Sequence, residues 1–262
     1  MSRSHLISRY TRAAISGFAA HRASFAIHFN SGLRHFLEFR TSSKAMNTPE
    51  IPLFPLNTVL FPGMPLHLHI FEPRYKEMVH KCIEEKTEFG ILLLHETQLC
   101  QVGCTARITQ ILRQFENGSM DILTEGRRRF RVLDVLNRES YLEAVVEYFD
   151  DENEDIPSDL LKKVLNAYQK MIRLQTRGVG AIRGIFDPVH FSFIIASTID
   201  MVLKDRQSLL ELTSTTERIR KLDTALLVTM QKLDEQEKLK RVAEMNGHGK
   251  HEPEESESKD GE

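Results

Sequence analysis

Cysteine and histidine side chains are the first candidates for chemistry in this 262-residue sequence, because both can bind a metal ion. Cys100 and Cys104 stand close together, with Cys82 and His95 nearby in the chain. Structural zinc sites usually combine two closely spaced pairs of ligands, and the sequence offers one pair. We therefore predict no metal site and interpret the cysteines as small, buried thiols.

Two further histidines, His67 and His69, alternate with leucines and fall on one side of a predicted strand. No adjacent pair of carboxylates accompanies them, so we expect surface or rim positions rather than metal ligands. Motifs for catalysis are also missing, since the chain contains no G-x-x-x-x-G-K-[ST], H-E-x-x-H or G-x-S-x-G. The glycine-rich segment 178–184 separates two predicted helices, lacks the G-x-G-x-x-G spacing and is interpreted as a loop. We predict no cofactor and no enzymatic activity.

Four arginines, Arg127, Arg128, Arg129 and Arg131, form a basic cluster within a predicted strand. Such a cluster could contact RNA, and RNA binding is kept as an alternative function. Strand alternation divides the cluster between two faces, however, and stacking on bases would depend on Phe130. We therefore interpret the arginines as a solvated face paired with nearby acids, and expect no nucleic-acid partner.

Composition sets the class of protein. The formal net charge is −2 and 41% of the residues are hydrophobic, which suits one or two packed domains and gives no general basic surface. Three cysteines are too few for a disulfide framework and indicate a reducing compartment. No run of about 18 apolar residues occurs, so no membrane partner is expected.

The elements that would position these residues are organised around the proline-rich stretch from Ile51 to Tyr75. Proline cannot donate a hydrogen bond to a sheet and fixes its own φ, so only short extended segments and fixed turns are allowed. Pro62-Gly63 predicts a turn, and the alternation over 66–70 predicts a half-buried strand. Glu72-Pro73 predicts the start of a helix. The stretch therefore predicts strand, turn, strand and helix.

The same stretch, PLFPLNTVLFPGMPLHLHIFEPRYKEMV, closely resembles the beginning of the Lon N-terminal domain, the substrate-recognition part of ATP-dependent Lon proteases. That domain also occurs as a free-standing small protein and as the Lon-like domain of cereblon. The resemblance continues through FGILLL, VGCTARI and DILTEGRRRFRV, and more weakly through LKDRQSLLELTSTTERIRKL. It covers roughly residues 51–237 and implies a PUA-like β-barrel. The sequence contains no counterpart of the ATPase and Ser-Lys peptidase domains of that family.

Residues 1–45 differ in composition from the rest, because they are rich in arginine and serine and contain one acid, Glu38. Organellar transit peptides have this composition. A start codon assigned too far upstream is the alternative, since Met46 directly precedes the first family-like residues. We expect this extension to lie outside the fold. The expected location is cytoplasmic, or mitochondrial or plastid if residues 1–45 are a genuine transit peptide.

The predicted fold class is α+β, a PUA-like β-barrel followed by an α-helical bundle. Residues 50–150 are expected to form six or seven short strands with one inserted helix over 73–86. An Asn-Gly hairpin is predicted at 117–118. Gly126 is expected to end one strand before the next begins at Arg127.

Residues 156–245 are predicted to form the helical bundle, because their apolar residues recur at spacings of three and four. Asp187-Pro188 and the capping box over 214–217 predict two helix starts. The acidic run 150–155 is interpreted as a hydrated linker between two domains. The polar, acidic tail 246–262 is expected to be disordered.

The predicted binding element combines the proline-bracketed turn with the start of the following helix. An apolar rim held by prolines could capture exposed segments of partly unfolded proteins, and Met64 would make that rim adaptable. Core packing at a corner of the barrel is the alternative for the turn. Polar groups at the helix start could orient a peptide through hydrogen bonds. The predicted site residues are Phe61, Pro62, Met64, Phe71, Glu72, Arg74 and Tyr75.

The resemblance implies a non-catalytic module whose partners are segments of unfolded or client proteins. It also implies a role in protein quality control, as an adaptor or as an accessory subunit of an ATP-dependent protease. A protease or motor subunit is then a further partner, and self-association is left open.

Overall fold

The structure, a computed structural model, describes residues 48–176 and 187–247. The expectations for residues 1–45, for the glycine-rich segment 178–184 and for most of the acidic tail lie outside the described residues.

The first half of the chain is a mixed six-stranded sheet that curls into a barrel-like ring. The elements are β1 (Glu50–Leu56), β2 (Pro65–Ile70), α1 (Pro73–Glu85), β3 (Phe89–His95), β4 (Gln98–Gln114), β5 (Met120–Leu136) and β6 (Leu142–Phe149). The order across the sheet is β2-β5-β4-β3-β1-β6, and β5 also pairs with β6. This additional pairing closes a ring of five strands and leaves β2 attached to β5.

Each of the five ring strands pairs with two ring neighbours, and β5 and β1 change partner along one edge. The first part of β5, residues 120–125, pairs with β2, and from Arg129 onward β5 pairs with β6. Similarly, β1 pairs antiparallel with β6 over 50–53 and parallel with β3 over 53–56. The α+β architecture agrees with the prediction, and the ring takes the place of the predicted barrel.

Gly126 does not break a strand, contrary to the prediction, because β5 runs through it. Its backbone pairs with the preceding turn: the Gly63 N–H donates to the Gly126 carbonyl at 2.8 Å, and the Gly126 N–H donates to the Met64 carbonyl at 2.9 Å. A Cβ at position 126 would lie 2.2 Å from the carbonyl oxygen of Phe61. Glycine is required here by the approach of a second backbone, which the sequence of one strand does not reveal.

The second half consists, in its described part, of four helices. The helix over Pro188–Thr198 begins as predicted, with the Asp187 carboxylate accepting a hydrogen bond from the His190 N–H at 3.0 Å. At the predicted capping box, the Ser214 hydroxyl oxygen accepts from the Glu217 N–H at 3.1 Å. None of the described helices is long and apolar enough to cross a membrane. The helices are α2 (Ser158–Gln175), α3 (Pro188–Thr198), α4 (Leu203–Glu211) and α5 (Thr215–Gly247).

Strands and helices share one hydrophobic core. The α5 helix packs against α2 and α3 and buries Ile219, Leu222 and Leu226 in the same cluster as the β5 residue Ile122. Where the ring of strands meets the helices, the aromatic side chain of Phe61 stacks on that of Phe193 in α3, with centroids 5.9 Å apart. A second, smaller cluster surrounds Phe130 and comprises Ile51, Leu53, Leu92, Ala144 and Val146.

Candidate functional site

A groove lies between the end of β1 and β2. We call it the β1–β2 groove, and its volume is about 230 Å³. Residues 54–58 form one of its walls and residues 66–71 the other. The start of α1 and Leu94 of β3 complete the lining. The end of β1 with the bend that follows it, and β2, therefore border one open space.

The sequence of β2 gives this wall two kinds of surface. Leu66 and Leu68 are half-buried and pack against the main core. His67 and His69 point to the other face and are exposed, which confirms their predicted surface positions. The Nδ1 atom of His69 lies 2.6 Å from a carboxylate oxygen of Asp121 on β5. The wall thus offers leucine side chains on one face and hydrogen-bonding imidazoles on the other.

At the start of α1, an ion pair and a phenol line the groove. The Nε and one terminal nitrogen of Arg74 donate to the same Glu72 oxygen at 3.0 and 2.7 Å. The guanidinium also lies over the Tyr75 ring, 4.6 Å from its centroid. Burial raises the pKa of Tyr75 to about 12, Arg74 lowers this pKa and Glu72 raises it. The Tyr75 hydroxyl is therefore neutral at physiological pH.

The structure separates the seven predicted site residues into two groups. Phe71, Glu72, Arg74 and Tyr75 line the β1–β2 groove, where Phe71 is 39% exposed and its ring stacks on that of His69, with centroids 5.7 Å apart. Their capacity to bind a peptide remains a prediction.

Phe61, Pro62 and Met64 lie instead at the turn between ring and helices. Phe61 is 1% exposed, so it packs in the core, which was the alternative for this turn. It does not form an exposed rim. Pro62 is half-buried, and the Met64 sulfur accepts a hydrogen bond from the Ser197 hydroxyl of α3 at 3.1 Å. The turn is held between β5 and α3.

Several groove residues were not predicted from the sequence, namely Leu56, Asn57, Thr58, Leu66 and Leu68. The alternation of β2 was recognised, but its position beside the end of β1 follows from the ring closure. The prolines at positions 55 and 65 were the available signal, because proline in a strand marks an edge or a strand start.

The arginine cluster is a solvated face only in part, because Arg127, Arg128 and Arg131 are exposed as predicted and Arg129 is not. Arg129 is 4% exposed, and Phe130 is fully buried and cannot stack on bases. Arg128 lies over the ring of Tyr148, 4.0 Å from its centroid, and Arg127 is 3.5 Å from a carboxylate oxygen of Glu125. The cluster therefore gives no continuous basic surface for RNA.

In the acidic run 150–155, most residues are exposed as expected of a hydrated linker, and Asp151 is the exception. The Asp151 side chain is 5% exposed and pairs with both Arg129 and Arg218. Arg218 further donates to the Ser192 hydroxyl at 2.8 Å and to the Leu212 carbonyl at 2.8 Å. We call Asp151, Arg129 and Arg218 the buried charge triad; it joins β5, the linker and α5.

The triad carries two positive charges and one negative charge. Burial lowers the pKa of both arginines, and Asp151 opposes that effect. Arg129 also donates to the Leu210 carbonyl at 3.0 Å, near the end of α4, where the helix dipole is negative. The guanidinium of Arg218 lies 4.1 Å from the centroid of Phe193. Carbonyl oxygens and an aromatic face thus offset the excess positive charge.

Cys82 and Cys104 are buried, as predicted, and Cys100 is half-buried. Burial raises the pKa of all three thiols, so none is activated as a nucleophile. Within residues 48–176 and 187–247, no three histidine, cysteine, aspartate or glutamate side chains come close enough to hold a metal ion.

Comparison with known protein families and sequences places this architecture among relatives. Residues 50–227 match the family described as the ATP-dependent protease La (LON) substrate-binding domain. The chain is 29% identical over 197 residues to Lon protease 2 of Herpetosiphon aurantiacus, a match that covers 70% of this chain and 24% of that protein. It is 26% identical over 192 residues to Lon protease of Brevibacillus choshinensis, covering 68% of this chain and 24% of that protein. The chain thus spans about a quarter of the length of these relatives.

Solved structures show the same fold. The Lon N-terminal domain protein from Xanthomonas campestris superposes with a TM-score of 0.55 at 23% identity, over 66% of this chain and 96% of that one. The N-terminal domain of the Mycobacterium avium complex Lon protease superposes with a TM-score of 0.50 at 18% identity, over 68% of this chain and 98% of that one.

Proposed function

Because this chain belongs to the family of ATP-dependent protease La (LON) substrate-binding domains, we propose that it is a recognition module that binds exposed segments of unfolded client proteins. The family match covers the ring and most of the helical half, so the proposal concerns the described fold as a whole. Binding is the expected activity, without chemical change of the client.

The observation that carries this proposal is the β1–β2 groove with its mixed lining. Ligand sites in proteins are mostly apolar clefts with a few polar groups that fix orientation. The groove has this composition, because Leu56, Leu66 and Leu68 line it together with the Glu72–Arg74 pair. An apolar client side chain can pack on the leucines while polar groups of the client meet the ion pair at the helix start.

The test is a binding titration of the full chain against reduced, carboxymethylated lactalbumin, which stays unfolded, in the absence of nucleotide. Phe71→Asp places a charge in the groove at an exposed position, so the fold should survive, and affinity should fall about tenfold or more, on the order of 1.4 kcal/mol. Leu133→Asp is the matched control, because Leu133 is 42% exposed and lies in the part of β5 that pairs with β6.

The control should bind within about twofold of the wild type, on the order of 0.4 kcal/mol. Circular dichroism shows that both variants are folded. Equal affinities of the two variants would place the binding surface elsewhere, and a wild-type chain that does not bind the unfolded protein would contradict the function itself.

The role of an adaptor in protein quality control is the second part of the proposal. The relatives named above are proteases about four times as long as the matched region. In an adaptor role, this chain would pass a captured segment to the ATPase and peptidase domains of a separate protease for degradation. We expect the wild-type chain, and not Phe71→Asp, to change the rate at which an ATP-dependent protease of the La type degrades the same unfolded protein. No effect of the wild-type chain would contradict the adaptor role, and an equal effect of both chains would place the client-binding surface outside the groove.

A further inference from the structure

The β1–β2 groove is bordered by two strand edges that have no sheet partner among the described residues. β2 pairs with β5 and with no other described strand. In β1, residues 50–53 pair with β6, whereas Phe54, Pro55 and Leu56 pair with β3 alone among the described strands. The described backbone hydrogen bonds outside the sheet include none from residues 66–70 or 54–58.

An unpaired strand edge presents a row of backbone N–H and C=O groups, because every second residue directs both groups away from its existing partner. Side chains can satisfy few of these groups at once. An extended polypeptide satisfies them in sequence, because its own N–H and C=O groups repeat with the same period. The hydrogen-bonding pattern of the groove therefore matches an extended peptide backbone.

We propose that the client segment binds as an additional β-strand, inserted between β2 and the end of β1. This inference rests on the proposed function and specifies its mode: recognition through the client backbone, with apolar side chains packed on Leu66 and Leu68. Such a mode needs no particular client sequence, only an extended segment whose apolar residues alternate with polar ones.

The strand directions determine how the inserted segment runs. β1 is parallel to β3, and the antiparallel steps from β3 through β4 and β5 to β2 leave β2 running opposite to β1. A segment that is antiparallel to β2 is therefore parallel to β1. Antiparallel pairing is the more stable kind, the β2 edge is the longer one, and Pro55 contributes no N–H donor. We assign β2 as the principal pairing edge.

Backbone methylation of the ligand tests this mode directly. The probe is a fluorescein-labelled peptide of ten residues that alternates valine and serine between terminal lysines. Two derivatives carry N-methyl groups on alternate residues, one on the valines and one on the serines, with all side chains unchanged. A methylated peptide could recover its hydrogen bonds only by shifting its register by one residue, which would exchange its valine and serine faces. The alternating sequence therefore prevents a register shift from masking the effect of methylation.

In strand addition, one derivative loses the hydrogen bonds to β2 and should bind at least about tenfold more weakly than the other. Equal affinities of the two derivatives would overturn the proposal, even if both bind. If carboxymethylated lactalbumin binds but the unmethylated peptide does not, strand addition is overturned while client binding stands. If neither binds, the proposed function fails as well.

Amide hydrogen exchange gives a second, independent readout on the full chain. Bound peptide should slow exchange at the outward-facing amides within residues 66–70. Amides of β6 pair within the ring and should be unchanged, which makes them the internal control. Binding without added protection in β2 would also overturn the proposal.

Discussion

At the scale of single residues, Asp151 links the sheet to the helices. Its carboxylate pairs with Arg129 of β5 and Arg218 of α5, and also accepts a hydrogen bond from the Thr215 hydroxyl at 2.6 Å. All of these groups are buried. The contact between the sheet and the helices should therefore depend on the Asp151 carboxylate.

Asp151→Asn is expected to destabilise the protein by about 3–5 kcal/mol, because it leaves two buried arginines without a counter-charge. Urea unfolding followed by circular dichroism measures this loss. Glu50→Gln is the control, because it removes an exposed ion pair with Arg138 and should not change the midpoint measurably. An Asp151→Asn midpoint equal to that of the control would contradict the structural role of the triad.

The cysteines should differ in reactivity according to their burial. Cys100 is half-buried and the other two thiols are buried. We expect an aromatic disulfide reagent to modify one thiol rapidly and two slowly in the folded chain, and Cys100→Ser to remove the rapid phase. A rapid phase that persists in this variant would contradict the placement of Cys100.

Tyr75 should make stability depend on pH in alkaline solution. Burial raises its pKa from the ordinary tyrosine value of 10.0 to about 12 in the folded chain, so the folded state keeps the proton at higher pH than the unfolded state. The stabilising contribution of Tyr75 is complete below pH 10 and is lost between about pH 10 and 12. The free energy of unfolding falls by at most about 2–3 kcal/mol over this range. Tyr75→Phe should lose less stability over this range than the wild type, as measured by urea unfolding at each pH. Identical pH profiles would contradict the assignment.

At the scale of elements, the turn over residues 61–64 depends on Gly126 in β5. We expect Gly126→Ala to cost about 3 kcal/mol, because its Cβ would force two hydrogen-bonded backbones apart. Gly118→Ala is the comparison: Gly118 has a φ of +75° at the hairpin tip, and an added Cβ would lie 3.8 Å from the Lys76 Nζ, an ordinary contact, so about 1 kcal/mol is expected. Thermal or urea unfolding that ranks the two variants in the opposite order would contradict this account.

The sequence predicts where a turn or a helix begins when the signal lies in neighbouring residues. Prolines 62 and 73 fix the turn and the helix start, and Asp187 and Ser214 cap their helices as expected. Gly126 and Arg129 were interpreted wrongly because their environments are formed by residues far away in the chain. Gly126 meets the backbone of Phe61, and Arg129 meets the carbonyl of Leu210. Of the predicted site, the part next to the helix start lies in the groove, and Pro73 is the local signal that marks this start.

At the scale of the whole molecule, one core joins the ring to the helices, so the described fold should unfold in a single step. Circular dichroism in the far ultraviolet reports the helices, and tyrosine signals in the near ultraviolet report mainly the ring, as the chain lacks tryptophan. We expect both signals to give the same urea midpoint. Separate midpoints, or a stable fold of residues 48–150 alone, would contradict the shared core.

The first and last strands of the ring pair with each other, because Glu50 of β1 pairs with Val145 of β6. Folds dominated by such distant pairings form slowly, on the order of milliseconds to seconds. A ribosome must release β6 before residues 50–53 of β1 can pair with it. Until then this part of the nascent chain lacks the pairing that protects it, and chaperones have time to act. During its synthesis the protein thus passes through the state that we propose it recognises in others.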